Sequence, residues 1–257
     1  MNAKTILSLT VLGAVTAASA AVTTDNTLCR IEVASGTKNT IVAVPLVKVG
    51  GGNIPVTELV LTDNLTTGDT MLHWNGSSWD AWIIAKDQNG AKYWNPTVIS
   101  EGSKYSTSAP AEGTALARGD AIWVNRANPT VTEGEVTRAK PFYIYGQVAT
   151  TDSPATLPAI VGGAYTMMGN TALADKKIST LEFTGERQPG DGDKIVWSNS
   201  ANGTGVTQYE YKGGNGWGSY KSTVVEKNGR KVISSVWTSV GDADVIPAGQ
   251  GFWYVAK

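Results

Sequence analysis

Apolar and polar residues alternate along most of the chain from Leu28 onward, and Gly, Asn, Asp or Pro interrupts the pattern at short intervals. A period of two is typical of β-strands with one buried face, and these runs are rich in β-branched and aromatic residues. The pattern predicts strands at 41–47, 70–74, 81–85, 121–125, 141–145, 194–197, 208–211, 232–237 and 251–255. Only 57–62 and 171–177 resemble short helical turns.

Tight turns are indicated between several of these strands. Asn-Gly dipeptides, which accept positive φ at low cost and close hairpins, begin at Asn75, Asn89, Asn202 and Asn228. The sequence therefore predicts an all-β protein, built of β-sandwich or barrel-like units.

Two stretches of the first half recur in the second. Residues 68–72 (GDTML) match 192–196 (GDKIV), and 116–124 (LARGDAIWV) match 246–254 (IPAGQGFWY). Residues 41–46 correspond loosely to 165–171. Repetition at a domain-sized period predicts two tandem, similar β units, one over 21–150 and one over 151–257, joined at 150–154.

The amino terminus has the pattern of a signal peptide. Lys4 precedes an apolar run at 6–15, and Ala18-Ser19-Ala20 offers a small-x-small cleavage site. The run is shorter than the roughly 20 residues that a membrane-spanning helix needs, and no later stretch is long and apolar enough to span a bilayer as a helix. We therefore expect residues 1–20 to be removed and the mature protein to be secreted, periplasmic or located at the extracellular cell surface.

Composition narrows the chemistry. With 21 basic and 22 acidic residues the chain has no charge excess that would bind nucleic acid. One Cys and one His exclude an intrachain disulfide and Cys-cluster metal sites, so no metal and no cofactor are expected. Cys29 is expected as a small buried side chain in the first strand; the alternative is an exposed thiol that cross-links subunits.

The carboxylates do not form a recognisable catalytic set. A glycosidase needs two carboxylates across a sugar, and the spacing selects no pair among Asp69, Asp80, Asp120, Glu210 and Glu226. Asp69 and Asp193 each follow a Gly before a strand, where turn formation accounts for Asp. The lone His73 is expected to be half-buried and hydrogen-bonded. We therefore do not expect an enzyme.

Two loops alternate Asp with small residues. Asp191 and Asp193 lie in one, and Asp242 and Asp244 in the other. Both lack the third spaced oxygen ligand and the bidentate Glu of a calcium loop, so polar turns are the favoured interpretation.

Aromatic residues supply the best candidates for a binding surface. Exposed Trp and Tyr rings on a sheet can stack on sugars or dominate a protein interface, whereas buried ones pack a core, and all three roles stay open here. The two candidate clusters are Trp74, Trp79, Trp82 and Trp94 in the first half, and Tyr209, Tyr211, Trp217 and Tyr220 in the second.

The aromatic strand 249–254, preceded by 246–248, resembles a group of uncharacterised exported β-rich proteins from Verrucomicrobia- and Lentisphaerae-type bacteria. The strand 141–147 and the Gly-Asp strand starts are similar to that group as well. The resemblance implies export and a β fold, and it carries no activity and no catalytic residues.

These observations favour an exported, non-enzymatic structural or interaction protein of the cell surface or of an extracellular assembly. Its expected partners are further copies of itself or surface glycans. Two alternatives stay open: a pair of carbohydrate-binding modules, and a carboxylate-dependent glycoside hydrolase.

Overall fold

The computed structural model describes residues 7–9, 28–33, 38–99, 107–111, 113–149, 156–160, 162–198, 206–227 and 230–257. Within these ranges the chain is all-β, as the alternation predicts. Several predicted features lie outside the described residues. They are the signal peptide apart from 7–9, the junction at 150–154, and the Asn-Gly turns at 202–203 and 228–229.

The first half contains one short helix, α1 (Val56–Leu59), and many strands. They are β1 (Leu7–Leu9), β2 (Leu28–Val33), β3 (Asn39–Ala43), β4 (Ile54–Pro55), β5 (Val60–Leu61), β6 (Thr70–Trp74), β7 (Trp79–Lys86), β8 (Lys92–Thr97), β9 (Thr107–Ser108), β10 (Ala115–Leu116), β11 (Ala121–Asn125), β12 (Thr130–Glu133), β13 (Val136–Ala139) and β14 (Phe142–Gln147).

The second half adds two 3₁₀ turns, Ile178–Thr180 and Gly213–Asn215, and eight more strands. The strands are β15 (Tyr165–Gly169), β16 (Lys176–Lys177), β17 (Lys194–Ser198), β18 (Val206–Tyr211), β19 (Trp217–Lys227), β20 (Arg230–Ser239), β21 (Val245–Ile246) and β22 (Gly251–Val255).

The helical turn expected at 171–177 is wrong in position. The segment forms bends and then β16, and the 3₁₀ turn begins only at Ile178. The cause is Asn170, whose side-chain amide donates to the carbonyls of Ala174 and Ile246, while its oxygen accepts the Ala172 N–H. These bonds replace the backbone pairing that a helix would need.

Two large sheets carry the fold, one from each half. The first, here called the N-sheet, has the order β3-β11-β6-β7-β8, with β9 beside β7. The second, the C-sheet, has the order β15-β22-β17-β18-β19-β20. The first five strands of the C-sheet follow the same spatial order as the N-sheet: opening strand, closing strand, Gly-Asp strand and the two strands after it.

Each sheet covers a core of its own. The N-sheet packs its buried face on the sheet β1-β2-β14-β5, around residues such as Met71, Trp82 and Phe142. The C-sheet encloses a second core that includes Ile195 and Tyr254. In the part of the chain that the structure describes, no helix is long and apolar enough to cross a membrane.

The two sheets meet through a third apolar cluster and a reciprocal pair of backbone hydrogen bonds. The Ala43 N–H donates to the Gly249 carbonyl at 2.9 Å, and the Gly169 N–H donates to the Gly119 carbonyl at 2.7 Å. Each half thus supplies one donor and one acceptor. A side chain at Gly169 would lie only 2.5 Å from the Asp120 carbonyl oxygen, so this approach of the two backbones requires glycine.

Asp69 and Asp193 occupy matching positions in the two halves. Asp69 accepts the Thr66 N–H in its own turn and the Ala127 N–H beyond β11. Asp193 accepts the Gly190 N–H in its turn and the Lys257 N–H beyond β22. The turn role predicted for both residues is confirmed, and each also fixes the end of the closing strand.

Candidate functional site

An apolar pocket of about 390 Å³ opens where the N-sheet meets the C-sheet. Strands β6 and β7 contribute to one side of it, and β15, β17 and β22 contribute to the other. Its lining residues are Trp74, Trp79, Tyr165, Val196, Trp253 and Val255. Such a volume lies within the range of about 300–1,000 Å³ typical of small-molecule pockets.

Trp79 is the centre of the aromatic cluster that builds this pocket. Its ring centroid lies 5.4 Å from that of Trp74, 5.8 Å from that of Trp123 and 5.6 Å from that of Trp253. All three contacts are edge-to-face, the geometry that the ring quadrupoles favour. Because Trp253 belongs to the second half, its contact with Trp79 joins the two halves directly.

The pocket offers few polar groups. The indole N–H of Trp74 is already used, since it donates to the Tyr165 carbonyl at 2.8 Å. The remaining lining side chains are Trp, Tyr and Val. Tyr165 is 62% exposed and stands at the pocket's rim, where its ring contacts Trp253. The pocket is therefore suited to the apolar face of a ring or side chain.

The eight predicted aromatic residues separate into three environments. Trp74 and Trp79 line the pocket, and Tyr220 is 52% exposed on β19. The other five pack in or against the two cores: Trp82 and Trp94 in the first half, and Tyr209, Tyr211 and Trp217 in the second. The buried rings are not available to stack on a ligand.

Four pocket residues escaped the sequence reasoning, namely Tyr165, Val196, Trp253 and Val255. Alternation along β22 contains the missing signal. Phe252 and Tyr254 are fully buried, so Trp253 and Val255 must point to the opposite face. Alternation does not show which surface packs against the face that carries Trp253 and Val255.

A second group of titratable residues lies near the turn of the β6–β7 hairpin and comprises His73, Asp80 and Asp120. His73 is half-buried as expected, but its Nδ1 does not form the expected hydrogen bond and lies 3.8 Å from Asp80 Oδ2. Burial lowers the pKa of His73 against the opposing charges of Asp120 and Asp80. Burial also raises the pKa of Asp120, although the Ala117 N–H favours its charged form.

Asp80 itself is engaged in local structure. Its Oδ1 accepts hydrogen bonds from the Asn75 amide and the Ser108 hydroxyl, which tie the hairpin turn to β9. Asp69, another of the carboxylates considered for catalysis, is buried and fixes its turn. Asp80 and Asp69 therefore both have structural roles.

The Asp-rich loops make protein contacts. Asp193 accepts hydrogen bonds from the Tyr254 hydroxyl and from Arg187. Asp242 pairs with Lys177 at 2.9 Å, and Asp244 accepts the Tyr209 hydroxyl. Burial and this hydrogen bond raise the pKa of Tyr209 to about 12. Among the residues described, no group of three or more His, Cys, Asp or Glu side chains could hold a metal ion.

A long two-stranded ribbon, β19–β20, forms the outer end of the C-sheet. Its two strands pair from Gly218 opposite Ser239 out to Lys227 opposite Arg230. Side chains on both faces are exposed, including Val224 (67%), Ile233 (74%) and Val236 (51%). Trp217 anchors the start of β19 in the second core. Farther along the ribbon these three β-branched side chains remain in solvent, which is unusual for apolar residues on a sheet.

Comparisons of this chain with protein-family models, with curated proteins and with solved structures found no match.

Proposed function

We propose that this chain is an exported, non-enzymatic interaction protein of the cell surface or of an extracellular assembly. The β19–β20 ribbon carries the proposal. Its apolar side chains Val224, Ile233 and Val236 are left in solvent, at the far end of a sheet whose other strands cover a core. Exposed apolar surface on a sheet edge is the usual sign of a protein contact.

Export is part of the proposal and rests on the signal pattern at 1–20. Residues Leu7–Leu9 of that segment form β1, which pairs in parallel with β2 through three residue pairs. Antiparallel β14 holds the other side of β2 through six pairs, from Phe142 to Gln147. Loss of β1 on cleavage would thus leave β2 anchored in its sheet.

Internal duplication is also part of the proposal. It is supported by the shared order of five strands in the N-sheet and the C-sheet and by the matching roles of Asp69 and Asp193. The reciprocal hydrogen bonds at Gly119 and Gly249 support it as well, because each joins the turn before the closing strand of one half to the opening strand of the other half. Each copy would be one β unit.

The test of the interaction function compares ribbon variants with a matched surface control. Val224→Lys combined with Ile233→Lys places charge on the ribbon, and Val131→Lys does the same on the exposed hairpin β12–β13. We expect the wild-type protein and the control to remain with the cell surface or in large extracellular particles, and the ribbon variant to be released into the medium. Equal release of all three proteins would overturn the proposal.

The tryptophan-lined pocket supports a second candidate function, carbohydrate binding. Trp253 and Tyr165 present aromatic surface at the pocket mouth, and sugars stack on such rings. Binding to a glycan array should then be lost in Tyr165→Ala and kept in Tyr93→Ala, an exposed tyrosine elsewhere. No binding by the wild-type protein, or equal binding by both variants, would exclude this candidate.

A further inference from the structure

The outer edge of β20 is an open strand edge. β20 has 10 residues and is the last strand of the C-sheet, and among the described residues it pairs only with β19. An edge of this length presents a row of backbone N–H and C=O groups that can accept another strand. Natural proteins usually protect such edges, whereas β20 is long and carries the exposed apolar residues Ile233 and Val236.

The charges along β20 favour one orientation of the strand that would pair with it. Exposed Arg230 and Lys231 begin the strand, and the turn that follows it carries Asp242, whose side chain is 89% exposed and also pairs with Lys177 of the same chain. A second β20 in antiparallel orientation would bring the basic start of each strand beside the acidic turn of the other. Parallel pairing would instead place like charges together.

We infer that two copies of this chain associate by antiparallel pairing of their β20 strands, which joins the two C-sheets into one continuous sheet. The inference rests on the proposed interaction function and names its partner as a second copy. A twofold axis relates the copies, so the same patch is used twice and the contact closes on itself.

The charges also select a register. With the axis at Val236, the Val236 residues of the two copies lie opposite each other and Ile233 lies opposite Ser239. Arg230 of each copy then comes level with the turn that carries Asp242 of the other. A twofold axis perpendicular to the sheet also keeps matching residues on the same face, so exposed apolar side chains continue across the junction.

Disulfide trapping tests this geometry, with the full chain and the chain lacking residues 1–20 studied side by side. In the proposed register, Val236→Cys places two thiols within the Cα separation of about 4.4–6.8 Å that a disulfide allows. The control Thr238→Cys is exposed on the same strand, but its two copies would be separated by four residues, roughly 13 Å along the strand. The wild-type protein serves as a second control because Cys29 is buried.

We expect mild oxidation to convert Val236→Cys to a covalent dimer on a non-reducing gel, with little dimer from Thr238→Cys or the wild type. Efficient cross-linking of Thr238→Cys instead would overturn the register. Failure of both variants to cross-link, with a monomer by sedimentation at high protein concentration, would overturn the self-pairing.

Charge reversal gives an independent measurement. Arg230→Asp should weaken the dimer about tenfold or more in sedimentation equilibrium, and Asp242→Arg in the same chain should restore most of that loss. Added salt should also weaken the wild-type dimer, because it screens the charge pairs between the two copies. No restoration by the second substitution would contradict the antiparallel charge pairing.

The experiments distinguish failure of the β20 self-pairing from failure of the proposed interaction function. A protein that stays monomeric, while the Val224→Lys and Ile233→Lys ribbon variant still loses surface retention, would overturn self-pairing and leave the interaction function standing. Retention unaffected by the ribbon substitutions would overturn both.

Discussion

Replacing Trp79 by Ala should destabilise the protein by about 4 kcal/mol. The Trp79 side chain is 94% removed from solvent, since its relative exposure is 6%. A buried Trp withdraws about 200 Å² from water, which at about 25 cal/mol per Å² is worth about 5 kcal/mol. The Ala side chain retains part of this burial free energy. The remaining loss of about 4 kcal/mol agrees with the range of about 3–5 kcal/mol for Trp→Ala in cores.

The more discriminating quantity is the coupling between Trp79 and Trp253, which belong to different halves. Their rings meet edge-to-face at 5.6 Å, with an interplanar angle of 85°. Such a contact is worth about 0.5–1.5 kcal/mol beyond area burial. The double variant should therefore lose less stability than the sum of the two single variants by about 1 kcal/mol.

The assay is urea unfolding of the four proteins of the cycle, followed by circular dichroism, with Phe replacements where an Ala variant does not fold. Trp94 provides the matched control. It is equally buried, but it packs in the first core and donates its indole N–H to the Val60 carbonyl. The losses in free energy of unfolding caused by replacing Trp94 and Trp253 should be additive. A Trp79–Trp253 coupling below about 0.3 kcal/mol, within the error of additivity, would show that this ring contact does not stabilise the junction of the two halves.

Asp193, Gly169 and Cys29 each permit a separate test of the structure. Although burial raises the pKa of Asp193, hydrogen bonds from Lys257, Gly190 and Tyr254 and the charge of Arg187 lower it overall. Its contribution to stability is therefore present above the ordinary Asp pKa of 3.8 and lost as the pH falls from there toward the folded-state pKa. Asp193→Asn should flatten the acid side of the stability–pH curve, and exposed Asp191→Asn should not. Gly169→Ala should cost about 1–3 kcal/mol in thermal unfolding, because the new methyl group meets backbone of the first half; Gly214→Ala, with open space around it, should cost less than half as much. Cys29, only 3% exposed, should react with a thiol reagent in denaturant and not in the native state; rapid native reaction would contradict its burial.

All nine strands that the local pattern predicted overlap strands of the structure, although the described residues form 22. β6, β11 and β22 begin and end where alternation and the Gly-Asp or Gly-x turns place them. Side-chain period and turn chemistry act within a few residues, so the sequence displays them directly. The displaced helical turn shows the limit, because the bonds from Asn170 reach Ile246, 76 residues away.

The pocket could be predicted only in part, for a related reason. Trp74 and Trp79 were recognisable as candidates because they cluster in the sequence, but so do Trp82 and Trp94, which are buried. Which face of a strand meets a core depends on how the sheets stack. The pocket exists because β6 and β7 meet β22, a contact between distant parts of the chain.

The reciprocal bonds at Gly119 and Gly249 have a consequence for how either half would behave alone. Each half would lack the carbonyl that completes its opening strand and would expose its face of the tryptophan cluster. If the halves descend from one ancestor, that ancestor would have met both needs as a symmetric dimer of single units. Fusion into one chain would then have replaced a concentration-dependent association by an intramolecular one, and would have permitted the two copies to diverge, one of them with the long β19–β20 ribbon.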